Sequence, residues 1–96
     1  MNISKTDELR KYSTPEIVYQ RAKKYLGKNV QIQKSTRKGK KYMVFHDKWI
    51  HFGQFGYIDF TKSNDVIKRI KFLKRNWKWA DAELYTPASL SYYLLW

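Results

Sequence analysis

The sequence predicts an α+β domain. Three observations carry this. A helical apolar period lies between a Thr-Pro start and a glycine stop over residues 13–27. Alternating apolar and polar residues follow, broken by a glycine-bearing turn. A second helical period, dense in lysine and arginine, comes after that. Runs of strand character next to separate helical runs imply a small antiparallel sheet accompanied by helices. The expected order is an N-terminal helix, a three-stranded meander, a basic amphipathic helix and an apolar C-terminal segment. Residues 1–12 are polar and mixed in charge, and are expected to form a loosely ordered arm ahead of a single domain over 13–96.

In "STPEIVYQRAKKYLG" Thr14 or Ser13 is the expected cap, and Pro15 suits the first helical turn. Glu16 lies at the positive end of the helix dipole, Lys23 and Lys24 at the negative end, and Gly27 follows as the stop. Val18, Ala22, Tyr25 and Leu26 fall on one stripe. "NVQIQKS" alternates, with Val30 and Ile32 on one face, and "TRKGKK" reads as a turn around Gly39. "KYMVFHDKWIHF" reads as a hairpin with Asp47-Lys48 as a two-residue turn, which would set His46 opposite Trp49 and Val44 opposite His51. "SNDVIKRIKFLKRNWKW" is predicted as a helix capped by Ser63, with Asp65 in its first turn. Its Val66, Ile70, Leu73 and Trp77 are expected to face the core, with Lys68, Lys71, Arg75 and Lys78 on another face. Thr86-Pro87 repeats the cap-and-proline signal before "SLSYYLLW".

Charge is the strongest functional signal. The 96 residues carry a net +12, which calls for an anionic partner, nucleic acid first and an anionic membrane or acidic protein next. Six Lys/Arg against one Asp fall in residues 34–48, and seven against one Asp in residues 62–78. Lys34, Arg37, Lys38, Lys40 and Lys41 in the turn are expected to meet phosphates, together with Lys68, Arg69, Lys71, Lys74, Arg75 and Lys78 in the basic helix. Tyr42, Phe45, Trp49, Trp77 and Trp79 are interleaved with them, and aromatic rings stack unpaired bases or fill a core. The absence of cysteine rules out disulfides and thiolate metal sites. No run is long enough to span a bilayer, and "MNISKTDELRKY" lacks the apolar core of a secretory signal, so use inside a cell is expected.

Chemistry finds little support. His46 and His51 flank the hairpin turn but are not paired across it, and only Asp47 and Asp59 stand near as further ligands. Structural zinc sites take four protein ligands. No nucleophile-base grouping and no phosphate-cradling glycine loop is present. The expectation is a non-enzymatic protein with no metal and no cofactor. "IHFGQFGYIDFT" then reads as a backbone corner. Gly53 and Gly56 supply geometry closed to other residues, Asp59 accepts from backbone N–H groups near Thr61 or pairs with a Lys or Arg, and Phe52, Phe55, Tyr57 and Phe60 pack around it.

The strings "KSTRKGKKYMV", "IHFGQFGYIDFT", the basic helix and "TPASLSYYLLW" together resemble a family of small basic proteins of nucleocytoplasmic large DNA viruses. The similarity spans residues 34–96, and its most specific part is the His-Phe-Gly, Gly-Tyr, Asp-Phe-Thr pattern. The chain departs from that pattern at Ser63-Asn64-Asp65, at Asn76 and at Lys48, where relatives carry His-Lys-Asp, a histidine and a glycine. The resemblance implies a viral protein of the virion and the infected-cell cytoplasm. The expected role is a structural protein binding nucleic acid, DNA first, through phosphates with little sequence preference. The alternative is a minor capsid or cement protein that contacts larger capsid subunits or an internal membrane. Leu90, Tyr93, Leu94 and Trp96 would then form its partner interface, unless they are core.

Overall fold

The computed structural model describes residues 8–96. Helix α1 (Pro15–Leu26) leads into strands β1 (Ile32–Lys34), β2 (Lys40–His46) and β3 (Lys48–Gln54). Two short helices follow, α2 (Phe60–Ser63) and α3 (Val66–Arg75), then a 3₁₀ turn (Trp77–Asp81). The chain closes with α4 (Pro87–Leu90), which runs on as a π-helical turn (Ser91–Leu95). The strands form an antiparallel meander in the order β1-β2-β3, so the predicted α+β architecture is the one observed.

Pairing of β2 with β3 differs from the expected two-residue turn. His46 lies opposite Lys48, Val44 opposite Ile50 and Tyr42 opposite Phe52, and Asp47 alone makes the reversal at φ 65°. Aspartate tolerates this left-handed conformation. The hydrophobic pattern selects the register, because a one-residue slip would turn Ile50 and Phe52 away from the face that holds Tyr42 and Val44. These four side chains are buried, together with Leu9, Val18, Ala22, Leu90, Leu94 and Leu95. Helix α1 and the C-terminal helical segment cover this face of the sheet. His46 and His51 sit on opposite faces of the hairpin and share no ligand. His46 stacks on Tyr85, centroids 3.8 Å apart.

Several local expectations change. Residues 8–12 are not a loose arm: Leu9 is fully buried, and the Tyr12 ring meets Phe55 edge-on at 5.4 Å. Residues 1–7 of that arm lie outside the described residues. Thr14 stands at the N-cap of α1 as expected, but its hydroxyl makes no capping hydrogen bond; its N–H donates to Thr61 Oγ1 at 2.9 Å, and the Ser13 hydroxyl also contacts Thr61. Gly27 does end the helix, at φ 109°. Tyr25 is exposed rather than part of the buried stripe. The predicted basic helix is broken in two by Asn64 at φ 55°. Asp65, not Ser63, caps α3, accepting from the Lys68 N–H at 3.1 Å. Asn76 ends α3, its side chain donating to the Phe72 carbonyl.

Tyr42 gives the fold a testable pH response. Its hydroxyl is buried and donates to Ser13 Oγ at 2.6 Å. Burial pushes its pKa well above a free tyrosine's 10.0, with the Ser13 contact acting weakly the other way. Below pH 10 both folded and unfolded chains keep this proton, so the group adds no pH dependence. Above it the unfolded chain releases the proton first and unfolding becomes favoured. Thermal midpoints measured above pH 10 should therefore fall more steeply for the wild type than for Tyr42→Phe, and parallel declines would contradict the assignment.

Candidate nucleic-acid interface

A buried ion pair builds the corner at the end of β3. Lys41 Nζ donates to Asp59 Oδ2 at 3.0 Å, to the Tyr57 carbonyl at 2.5 Å and to the Tyr12 carbonyl at 3.4 Å. Both side chains are almost wholly removed from water. Burial pulls the Lys41 pKa down, and the Asp59 carboxylate opposes that fall. The other carboxylate oxygen, Asp59 Oδ1, accepts from the Thr61 N–H at 3.0 Å and from the Thr61 hydroxyl. With its proton given to Asp59, Thr61 Oγ1 accepts from Ser13 Oγ, which in turn accepts from Tyr42. The Asp59 N–H donates to the Tyr12 carbonyl at 2.9 Å. Thus Asp59 does both things expected of it: it accepts from the backbone near Thr61 and it pairs with a lysine.

Gly53 and Gly56 shape the same corner, at φ 81° and 101°. A Cβ at Gly53 would stand 2.9 Å from Leu95 Cδ1 and 3.1 Å from Lys41 Cβ, whereas one at Gly56 would meet nothing within 4 Å. Phe52 is buried and Phe55 partly so, but Tyr57 points outward, 65% exposed.

Helix α3 forms the facing wall. It has no buried residue and is held by side chains that reach sideways. Phe72 stacks on Trp96 with centroids 4.3 Å apart and meets Trp79 edge-on at 5.8 Å. Arg69 Nε donates to the terminal oxygen of Trp96 at 2.7 Å, and its guanidinium sits over Phe60. This seating leaves Val66, Ile70 and Trp77 of the stripe expected to face the core, with Ile67 beside them, between 45% and 62% exposed, and only Leu73 of that stripe is partly covered. The reason is that the C-terminal Trp96 docks Phe72, on a different face of the helix.

Between the two walls runs a groove of about 760 Å³. Lys68, Lys71 and Arg75 line it from α3, Gly53, Gln54 and Gly56–Asp59 line it from the corner, and Phe72, Trp79 and Trp96 form its aromatic floor. Spacings of three and four residues place the three cations on one helical face. Asp59 is the one acidic residue of the lining, and Lys41 neutralises it.

The remaining sequence-predicted residues divide. Lys41 is no phosphate ligand, because its ammonium is buried in the corner. Arg69 turns to the other side of α3. Lys74 and Lys78 are exposed but do not line the groove. Lys34, Arg37, Lys38 and Lys40 belong to the β1–β2 turn, which Ser35 organises by accepting from the Arg37 N–H at 2.9 Å and contacting His51 Nδ1 at 2.6 Å. That turn flanks the groove, since Lys40 pairs with Gln54 and the Phe55 N–H donates to the Gly39 carbonyl. Tyr42 is core, and Phe45 and Trp49 pair with each other at 5.4 Å across the hairpin. Leu90 and Leu94 are core, while Tyr93 and Trp96 are half-buried. Phe72 and Trp96 went unnoticed as groove residues because their stacking joins segments distant in sequence. Among the described residues no group of three His, Cys, Asp or Glu side chains is placed to hold a metal ion.

Residues 30–76 match the model of a family of unknown function, DUF5754. The match covers the sheet, the corner and α3, hence both walls of the groove, and stops before Trp79 and Trp96 of its floor. No curated protein and no solved structure matches the chain.

The corner makes the two glycines unequal. Gly53→Ala forces a methyl group against Leu95 and Lys41 at a positive φ, so denaturant unfolding should show a loss of about 2–3 kcal/mol. Gly56→Ala meets open space and should cost only the backbone strain, about 1 kcal/mol. Equal losses at the two positions would contradict the packing described.

Proposed function

We propose that this chain binds nucleic acid through phosphate contacts, with little sequence preference and without catalysis. The observation that carries the reading is the charge of the groove. Three cations share one wall, and the lining's single carboxylate is cancelled by a buried lysine. A strand backbone laid there meets uncompensated positive charge, and each cation that contacts a phosphate releases condensed counterions. The aromatic floor offers faces to unpaired bases, a contact that every base can make. Cations of the β1–β2 turn extend the positive surface beyond the groove's end. In keeping with the viral resemblance of residues 34–96, we take DNA in a virion or an infected cell as the first ligand.

A second reading rests on one observation. The exposed stripe Val66, Ile67, Ile70 and Trp77 is apolar surface beside the basic face. Such a stripe favours contact with another virion protein or an internal membrane, which is the role of a minor capsid or cement protein.

A salt series separates the two. The probe is a labelled blunt duplex without terminal phosphates, with heparin as competitor. On the nucleic-acid reading, log affinity falls linearly and steeply with log salt. Replacing Lys68, Lys71 and Arg75 together by Gln should reduce the slope by about 3, at about 0.9 per lost duplex contact. Weak binding at physiological salt, or an unchanged slope in the triple variant, would overturn this reading in favour of the second.

A further inference from the structure

The side of α3 away from the groove holds a second basic recess, of about 300 Å³, between α1, α3 and the C-terminal segment. Arg21 and Lys24 of α1 and Arg69 of α3 line it, and no acidic residue does. Arg21 and Arg69 are drawn to one ring, with their guanidinium carbons 5.7 Å and 4.9 Å from the centroid of Phe60. Two like charges gathered on one apolar ring repel each other unless an anion lies between or beside them. Arg69 spends its Nε–H on the terminal oxygen of Trp96, which meets part of its charge. Arg21 makes no hydrogen bond among the described residues, and burial followed by the charge of Arg69 draws its pKa down. Tyr25 and Tyr93 form a rim, ring to ring at 5.3 Å, with Lys24 Nζ 5.4 Å from the Tyr25 centroid.

We propose that this recess is a binding site for a phosphate monoester, held by Arg21, Lys24 and Arg69 with its organic group against the tyrosine rim. Guanidinium groups match phosphate oxygens in pairs, and charge-assisted hydrogen bonds of this kind are the strong ones. Three cations with no acidic side chain among them fit a dianion better than the single charge of an internal phosphodiester. The site therefore differs in kind from the groove, which takes diesters along a strand. Its ligand is either a free phosphate ester or the phosphorylated end of a nucleic-acid strand. The proposal does not rest on the groove binding anything.

The test titrates the full chain with methyl phosphate and with dimethyl phosphate at constant ionic strength, following the side-chain Nε–H resonances of Arg21 and Arg69. The expected result is saturable binding of the monoester, tighter than the diester by about tenfold or more. Arg21→Gln and the more exposed Lys24→Gln, each checked for an unchanged thermal midpoint, should each weaken it by about tenfold. The triple Gln variant of Lys68, Lys71 and Arg75 should leave it unchanged, so that failure of the groove and failure of the recess are read separately. Equal affinity for the two esters, no saturation, or full affinity in both Arg21→Gln and Lys24→Gln would overturn the proposal. The same oligonucleotide with a 5′-phosphate and with a 5′-hydroxyl then separates the sources. A gain on phosphorylation identifies a strand end, and equal binding identifies a small ester.

Discussion

The architecture depends on one buried charge pair, Lys41 with Asp59. An ammonium and a carboxylate are both taken out of water at the end of the sheet, and desolvation alone would oppose that. Their placement is sustained because every remaining donor and acceptor is met from a different segment. Tyr12 and Tyr57 supply carbonyls to Lys41, and Thr61 supplies an N–H and a hydroxyl to Asp59. From Thr61 the network runs through Ser13 to Tyr42 in the middle of the core. The pair thereby ties the segment before α1, strand β2, the Gly53–Asp59 corner and the start of α2 into one unit. Removing either partner would leave the other charged and buried, at a cost of about 3–5 kcal/mol.

The same pair sets the electrostatics of the groove. A free carboxylate at the corner would face Lys68, Lys71 and Arg75 across the groove and hold them as internal partners. Neutralised from below by Lys41, Asp59 does not hold those cations as internal partners. Helix α3 adds the second half of the arrangement. It is moored by Phe72 and Arg69 to Trp96 rather than by an apolar face of its own, so most of its circumference stays open. One open face carries the groove cations and another the exposed apolar stripe, with Arg69 turned into the recess on the far side.

Sequence periodicity was enough to find the helices, the meander and the cap-and-proline start at Thr86-Pro87, because each rests on local rules. It was also enough to read "IHFGQFGYIDFT" as a corner with Asp59 as its acceptor. Four things escaped it. Asp47 reverses the hairpin alone because the core face of β3 demands that register, a non-local preference that outweighs turn statistics. Lys41 sits in a run of lysines and reads as solvated charge; only the return of the chain at Asp59 buries it. The apolar stripe of α3 reads as core because amphipathic helices usually bury that side. Here the residues of the C-terminal segment fill the core instead, with Leu90, Leu94 and Leu95 occupying the place the stripe would have taken. The convergence of Arg21 and Lys24 with Arg69 depends on packing that no spacing rule encodes.

The most direct test is to measure unfolding free energy and duplex affinity together for Lys41→Met, Asp59→Asn and the double variant. The account predicts that Lys41→Met is destabilised by several kcal/mol, about the 3–5 expected for a stranded buried charge. It predicts that adding Asp59→Asn restores part of that loss, and that the double variant, with no carboxylate left at the corner, keeps the wild-type salt slope. A Lys41→Met protein as stable as the wild type, with weakened duplex binding and a shallower slope that Asp59→Asn does not restore, would contradict it. That result would make Lys41 a phosphate contact and leave the corner without its central support.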